Sequence, residues 1–206
     1  MKLINAPHHP ADLAPLRAMM RRTAQTQDMS VLSHGLHVAR YFEDLRCHVL
    51  REEALVHMWR LPEWVHDPLL WSQVLPLASV RQYQIYHDCG KPHCLTVDEQ
   101  GRRHFPDHAR ISEQVWASLG QDAQIGTLIG QDMDIHVLKA LEVENFAQRH
   151  TAATLLLTGL AEIHANAEMF GGIDSVSFKI KYKQINQRGK AIVRALNEQT
   201  SRVVNG

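Results

Sequence analysis

Apolar residues recur at helical spacing along most of the chain. The first such stretch follows Ser30, a residue type that favours helix N-caps. Its apolar positions lie on one face of a helix, at Leu32, Leu36, Ala39, Phe42 and Leu45. Similar patterns predict helices at 49–60, 80–88, 108–119, 121–131, 133–148 and 151–169. The long apolar run of the last one marks it as a candidate central helix.

Two segments interrupt this helical pattern. Pro62, Pro68 and Pro76 break the chain around them into short helical pieces joined by turns. Residues 93–107 are polar and predict a loop or a hairpin, with its turn near Gly101. The sequence therefore predicts a fold that is all-α for the most part, in a single domain.

The C-terminal region has a different pattern. From Val176 to Tyr182, apolar residues alternate with small or basic ones, which is the period of a β-strand. An amphipathic stretch at 191–204 then ends the chain. Between 175 and 194 there is no acidic residue, and the basic residues are Lys179, Lys181, Lys183, Arg188, Lys190 and Arg194. These residues predict a short basic C-terminal extension.

Composition narrows the class of protein. A chain of 206 residues is long enough for one sizeable hydrophobic core. Lys plus Arg equals Asp plus Glu at 22 each, so the overall charge favours neither nucleic acid nor a membrane surface. No apolar run approaches the ~20 residues of a membrane span, and the N-terminus has no signal-peptide pattern. We therefore expect a cytoplasmic protein with reduced cysteines and no membrane partner.

The count of 14 histidines is unusual for this length. Potential metal-binding or catalytic side chains are most concentrated in the stretch IYHDCGKPHC at 85–94. Its Cys89 and Cys94 lack the second close cysteine pair of a structural zinc site and the Cys-x-x-Cys spacing of a redox pair. His87 and Asp88 are adjacent and can both bind one divalent cation. Further ligands must then come from other predicted helices, and the candidates are His34, His108, Asp132, His136 and Glu162.

The stretch HDCGKP at 87–92 resembles the HD-G-K-P motif of the HD-domain phosphohydrolase superfamily. The order of His34, then His87-Asp88, then a later acid on a helix is similar to the layout of that superfamily. The nearest variant in motif is the HD domain attached to bacterial tRNA nucleotidyltransferases. There an H-F-x-x-H sequence follows, and His104-Phe105 and His108 match it here.

The resemblance implies a helical bundle that binds one or two divalent cations, of the group Mg, Mn, Ni, Fe, Co or Zn. It implies that His34, His87, Asp88 and Glu162 bind the metal, and that metal-activated water attacks a phosphoester. The other catalytic residues that it implies are Lys91, His108 and Asp132. The substrate would be a nucleotide or an RNA-end phosphate, such as a 2′,3′-cyclic phosphate.

The resemblance also implies domain bounds: an N-terminal segment at 1–29, an HD-type domain at 30–170 with an insertion at 59–76, and an extension at 171–206 packed on that domain. The chain departs from the family at two places. Asp132 precedes Met133 where the family often has histidine, and Glu162 follows Ala161 where it has aspartate. The alternatives are therefore a nucleotidase or a signalling-nucleotide hydrolase of the same fold, or an inactive nucleotide- or RNA-binding module.

Each candidate also has a purely structural interpretation. The pattern around His34 is also typical of a histidine packed in the core. Asp132 and His136 could instead form a hydrogen-bonded pair at the surface. Glu162 could instead pair with a neighbouring Arg or His. For the extension, weak RNA binding through 175–194 competes with a strand edge protected by lysines. Its candidate substrate-binding residues are Lys179, Lys181 and Lys183.

Overall fold

The computed structural model describes residues 10–204. Helices make up 67% of these residues, which confirms the predicted, mostly α-helical class. In chain order the helices are α1 Ala14–Arg22, α2 Val31–Arg51, α3 Pro68–Ser72, α4 Leu77–Tyr86, α5 Lys91–Cys94, α6 His108–Ser118, α7 Ala123–Gly130, α8 Asp134–Val137, α9 Val143–Ala147, α10 Ala152–Met169 and α11 Val176–Val204. Residues 1–9 of the predicted N-terminal segment, and 205–206, lie outside the described part.

Helix α2 begins where the sequence predicts. The Ser33 backbone N–H donates to the Ser30 side-chain oxygen at 3.1 Å, so Ser30 is the N-cap of α2. The apolar side of α2 packs against α4 and α10. Helix α10 is buried around almost its whole circumference, from Ala152 to Ala165, which confirms the prediction of a central helix.

A glycine sets the distance between α2 and α4. A Cβ atom on Gly35 would lie 2.3 Å from the Ile85 carbonyl oxygen and 2.9 Å from the Gln84 carbonyl oxygen. Two backbones therefore meet where no side chain fits. Because His34 precedes Gly35 and His87 follows Ile85, this close approach also brings the two histidines together: their ring centroids are 5.3 Å apart.

The predicted helix at 49–60 is wrong. Helix α2 ends at Arg51, and Glu52 adopts a left-handed conformation with φ 58°. The chain then runs without a helix because the Asp44 carboxylate accepts hydrogen bonds from the backbone N–H groups of Val56 and His57. It also accepts one from the Trp59 indole at 2.9 Å. A side chain on α2 thus provides the bonds that a helix would otherwise make within this loop.

The predicted helix at 133–148 is interrupted. Helix α8 ends at Val137, and Leu138 and Lys139 are extended, with ψ values of 126° and 155°. A 3₁₀ helix at Ala140–Glu142 and then α9 follow. The Leu138 carbonyl is not needed within a helix, and it accepts a hydrogen bond from Arg188 Nε at 3.0 Å. Tertiary contact again replaces a local helical bond.

The predicted strand at 176–182 is wrong as well, since these residues begin α11, which has 29 residues. Val176 and Ile180 are 74% and 56% exposed, so the alternation does not mark a buried face. The longer apolar pattern is helical, and its buried positions are Phe178, Ile185, Ile192 and Leu196. The predicted amphipathic helix at 191–204 is the second half of the same element.

The segment at 59–76 consists of short pieces, as its prolines predict. A 3₁₀ helix at Glu63–His66 precedes α3, and both contact α11. Trp64 is buried there, and its indole donates to Asn186 Oδ1 at 3.1 Å. A Cβ atom on Gly189 would lie 2.3 Å from this ring, so α11 fits against Trp64 only at a glycine.

The polar segment after α5 forms the expected hairpin. Strands β1 Thr96–Val97 and β2 Arg103–His104 are antiparallel, and Gly101 takes the left-handed turn position with φ 75°. Among the described helices, none is both long enough and apolar enough to cross a membrane.

The close approach at Gly35 generates the first prediction. Gly35→Ala should lower the free energy of unfolding by about 2–3 kcal/mol, because overpacking against a backbone outweighs the better helix propensity of alanine. Gly126→Ala is the matched control, since its Cβ would meet only the Trp116 side chain at 3.3 Å. Urea unfolding of both variants measures the difference. Equal free energies of unfolding in the two variants would show that α2 and α4 can move apart at Gly35 without loss of stability.

Candidate metal centre

Three helices bring the candidate ligands together. His34 lies in the first turn of α2, His87 and Asp88 follow the end of α4, and Glu162 lies on α10. One ligand atom from each of His34, His87 and Glu162 lies within 4.8 Å of the others. These three residues form the one such group of His, Cys, Asp and Glu among the described residues, and Asp88 lies beside it.

The spacing of the donor atoms suits a cation. His34 Nε2 lies 3.8 Å from Asp88 Oδ2 and 4.0 Å from Glu162 Oε1. His87 Nε2 lies 3.2 Å from Asp88 Oδ2. Two ligands that are each ~2.1 Å from one ion are at most ~4.2 Å apart. The three distances lie within that range, and two of them are too long for hydrogen bonds.

Several buried polar atoms of this cluster have no hydrogen-bond partner among the residues that the structure describes. They include His87 Nε2 and Asp88 Oδ1, although both residues are almost fully buried. The 3.2 Å contact between His87 and Asp88 lacks the alignment of a hydrogen bond. Buried polar atoms normally have partners, so the residues that are present fit a cation that both atoms could bind.

The backbone of α4 fixes the orientation of His87. Its Nδ1 lies 2.8 Å from the Gln84 carbonyl oxygen, which is an acceptor, so Nδ1 carries a proton. The Gln84 amide in turn donates to Thr158 Oγ1 on α10 at 3.0 Å. As a result, the Nε2 atom of His87 faces the cluster, as a histidine ligand must. Gln84 was not a candidate from the sequence, although its place one turn before His87 is a usable signal.

Lys91 is buried and bonds to Asp88. Its ammonium donates to Asp88 Oδ2 at 2.7 Å and to Gln25 Oε1 at 3.0 Å, and it lies 5.2 Å from the centroid of the Phe105 ring. The resemblance implied a lysine directed toward phosphate. In this structure the Lys91 ammonium instead binds Asp88 Oδ2, and Asp88 Oδ1 has no hydrogen-bond partner among the described residues. Nothing in the sequence pointed to Gln25.

Gly90 of the HDCGKP motif joins the site to α6. Its backbone N–H donates to Ser112 Oγ at 2.8 Å, and a Cβ atom there would lie 2.4 Å from the Ser112 nitrogen. This contact draws α6 close, so that His108, the first residue of α6, has its Nε2 3.7 Å from Asp88 Oδ1. His104 lies apart in the hairpin and is half-exposed, with its ring against Asp98 at 2.9 Å.

Asp132 lies in the turn between α7 and α8, outside any helix shared with His136. It is buried and accepts a hydrogen bond from the Tyr83 hydroxyl at 2.6 Å. Burial raises the pKa of this carboxyl. Asp132 is therefore adjacent to the cluster and not one of the donors that converge. Tyr83, one turn before His87, was a partner that the sequence did not reveal.

Glu162 has the histidine neighbour that one interpretation of the sequence required. His136 Nε2 lies 3.0 Å from Glu162 Oε2, and Asn166 Nδ2 donates to Oε1 at 3.4 Å. Burial raises the pKa of Glu162, but the His136 imidazole outweighs burial and holds the pKa below its ordinary value. The carboxylate thus stays ionised, with Oε1 directed toward His34.

The cluster is rich in ionisable groups. The carboxyl groups of Asp88 and Glu162, with Asp132 beside them, lie near the Lys91 ammonium and the imidazoles of His34, His87 and His136. Burial lowers the pKa of His87, but the carboxylates of Asp88 and Asp132 outweigh burial and raise it to about 10. Burial and the His87 imidazole lower the pKa of His34 to about 4, so His34 is neutral and its lone pair is free to bind a metal.

The cysteines take no part in this centre. Cys47, Cys89 and Cys94 are free thiols. Cys89 is fully buried and donates weakly to the Ser112 carbonyl at 3.4 Å, and burial raises its pKa to about 12. A thiol with so high a pKa supplies neither a ready thiolate ligand nor a redox nucleophile.

The three lysines predicted to bind substrate are exposed on α11. Lys179 and Lys183 are four residues apart and share one side of the helix, whereas Lys181 points to the other side. Lys181 is near enough to the metal centre that its charge acts on His136. Lys179 lies 3.9 Å from Asp174. The structure thus separates Lys181 from the other two.

Comparison of the chain with models of known protein families finds no match, and comparison with curated proteins finds none either. The geometry of the candidate metal centre is therefore what supports a proposed function.

The converging donors predict metal binding that depends on His34. His34→Gln should lower the affinity for Mn²⁺ or Co²⁺ at least about tenfold, because one buried nitrogen donor is lost. His104→Gln is the matched control, since His104 contacts Asp98 in the hairpin and not the cluster. Isothermal titration of chelator-treated protein measures both affinities. Equal affinity in the two variants would place the metal elsewhere.

Proposed function

We propose that the protein is a metal-dependent phosphohydrolase of the HD type, acting on phosphoesters of nucleotides or RNA ends. The observation that carries the proposal is a buried cluster in which ligand atoms of His34, His87 and Glu162 lie within 4.8 Å of one another, beside Asp88. Burying several ionisable groups together is costly. A site that a chain maintains at such a cost is a candidate for function.

The donors of His34, His87, Asp88 and Glu162 are two imidazole nitrogens and two carboxylate oxygens. Imidazole favours Zn, Fe, Ni or Co, and carboxylate also accepts Mn and Mg. The mixed set therefore suits the first-row metals better than magnesium alone. A divalent cation bound here would lower the pKa of a water molecule and offset the charge that develops on phosphoryl oxygens.

The residues around the ligands have distinct tasks in this proposal. Lys91 positions Asp88 by holding Oδ2, the oxygen that also lies 3.2 Å from His87 Nε2 and 3.8 Å from His34 Nε2. His108 is partly exposed beside Asp88 and is the group best placed to protonate a leaving oxygen. His136 holds Glu162 in its ionised form. Asp132 supports the charge on His87 and is hydrogen-bonded to Tyr83.

The substrate class rests on two supports. One is the resemblance to HD domains that act on nucleotides and RNA ends, with a 2′,3′-cyclic phosphate as the leading candidate. The other is Lys181, whose positive charge lies near the His136 side of the centre. A cytoplasmic location belongs to the same proposal, and a nucleotidase or a signalling-nucleotide hydrolase would use the same centre.

A second candidate is a binding module that does not turn over. It is favoured by the pairs Lys91–Asp88 and His136–Glu162, at 2.7 Å and 3.0 Å, which already neutralise two of the carboxylates. In such a module a phosphate would be held without metal-activated water. Metal content and turnover, measured on the same sample, separate the two candidates.

The hydrolase proposal predicts that Asp88→Asn abolishes activity. Loss of one ligand charge should reduce kcat/KM about 100-fold or more, while the fold, measured by circular dichroism, is kept. The assay uses metal-reconstituted protein and a panel of p-nitrophenyl phosphate, bis(p-nitrophenyl) phosphate, 2′,3′-cyclic AMP, 3′-AMP and 5′-AMP. Asp174→Asn is the control, because Asp174 is exposed and lies near Lys179 instead of the candidate ligands. Metal binding without turnover of any member would favour the binding module.

If RNA ends are the substrate, the position of Lys181 matters more than that of Lys183. Lys181→Gln should weaken binding of an oligoribonucleotide and reduce its logarithmic salt dependence by ~0.7, the value for one phosphate contact on a single strand. Hydrolysis of bis(p-nitrophenyl) phosphate should be unchanged. Lys183→Gln, on the other side of α11, serves as the control. If both variants lose the same affinity for the oligoribonucleotide and show the same salt slope, the RNA does not bind along the side of α11 that carries Lys181.

A further inference from the structure

A groove of about 630 Å³ lies between α11 and residues 138–144, which include the start of α9. Apolar side chains line it, including Leu138, Val143, Ala191 and Ala195, together with the amides of Gln184 and Gln187. None of the candidate metal ligands contributes to it, so it is separate from the metal centre. Its volume lies within the range of ~300–1,000 Å³ that is typical of small-molecule sites.

Arg188 is half-buried in this groove without an anionic partner. Its Nε donates to the Leu138 carbonyl at 3.0 Å, which leaves the two terminal nitrogens of the guanidinium unused. No carboxylate lies within ion-pair distance of it in the described part of the chain. Burial alone lowers the pKa of Arg188, with no contribution from a nearby acid. A desolvated guanidinium is normally paired, so this one is suited to bind an anion.

Other charged side chains line the same groove. Lys190 also lines the groove and has no ion-pair partner among the described residues. Arg194 lines it too, but its guanidinium already pairs with Glu198 at 2.7 Å. Glu144 is an exposed carboxylate at the same groove, and it does not act on the pKa of Arg188. The groove thus has three basic groups, on Arg188, Lys190 and Arg194, against two carboxylates, on Glu144 and Glu198, which leaves a formal excess of one positive charge.

We propose that this groove is a second ligand site, and that it binds a nucleoside monophosphate. The planar fork of a guanidinium matches phosphate oxygens. The apolar floor formed by Val143, Ala191 and Ala195 suits the faces of a base and a sugar. The amides of Gln184 and Gln187 offer both donors and acceptors for the edge of a base. This inference is independent of the proposed hydrolase, because the groove shares no residue with the metal centre.

A titration followed by ¹⁵N–¹H correlation spectra tests the proposal on the full chain. AMP should shift the backbone amide signals of Val143, Ala191 and Ala195. Adenosine, which lacks the anion, and inorganic phosphate, which lacks the nucleoside, should each bind at least about tenfold more weakly. The location of the shifted signals separates this groove from binding near Asp88 and His108.

Substitutions then assign the anion contact. Arg188→Gln should raise the Kd of AMP at the groove at least about tenfold. Arg194→Gln is the matched control and should change it less than about twofold, since that guanidinium is already paired. Lys190→Gln, at an exposed position that does not endanger folding, should raise the Kd about two- to fivefold.

Three results would overturn the inference. Shifts confined to signals near the candidate metal centre on addition of AMP would rule out binding in the groove and leave the proposed hydrolase unaffected. Adenosine binding as tightly as AMP would remove the phosphate contact with Arg188. Inorganic phosphate binding as tightly as AMP would reduce the groove to an adventitious anion site. Unchanged affinity in the Lys190 variant, together with a tenfold loss in the Arg194 variant, would likewise refute the assignment.

Discussion

A single buried carboxylate organises the centre of this molecule. Asp88 is almost completely removed from water, and an ionised carboxylate in such a place is stable only among positive or polarisable groups. The structure surrounds it with Lys91, His87, His34 and His108, which come from three parts of the chain: the HDCGKP stretch, α2 and α6. Each of these contacts constrains the element that provides it, so the packing of α2, α4, α5 and α6 depends on satisfying one charge.

Glycines make that convergence sterically feasible. Gly35 lets α2 approach the end of α4, and Gly90 lets the HDCGKP turn approach α6. At both positions the nearest atoms belong to a backbone, which cannot move aside as a flexible side chain can. The functional groups are direct chain neighbours of these glycines: His34 precedes Gly35, and Lys91 follows Gly90. The same contacts that close the core therefore fix the geometry of the candidate ligands.

Helix α11 connects the two sites that the structure suggests. Its N-terminal half packs on α10, where Phe178 lies 4.9 Å from the ring of His164, and it carries Lys181 near His136, beside the candidate metal centre. Its second half forms one wall of the groove at Arg188. Between them, Gly189 fits against Trp64. The bond from Arg188 to Leu138 also ties this helix to the segment that carries His136, so both sites border the same short stretch of chain.

The sequence by itself determined the elements whose signals are local. The N-cap at Ser30, the apolar run of α10, the proline-broken segment at 59–76 and the turn at Gly101 depend on neighbouring residues, and all were predictable. The motif HDCGKP likewise indicated which residues would meet, because it pairs His87 with Asp88 in the chain itself.

Only the tertiary structure decided the rest, because the deciding partners are distant in sequence. Asp44 draws residues 56–59 into a loop, and Arg188 binds the carbonyl of Leu138, at which the predicted helix at 133–148 is interrupted. The alternation at 176–182 was too short to show that its apolar residues belong to a longer helical face. The direction of Lys91 toward Asp88 was also hidden, as was the lack of an ion pair for Arg188 within the described residues. A side chain's charge can be read from the sequence, but the groups that face it are set by packing.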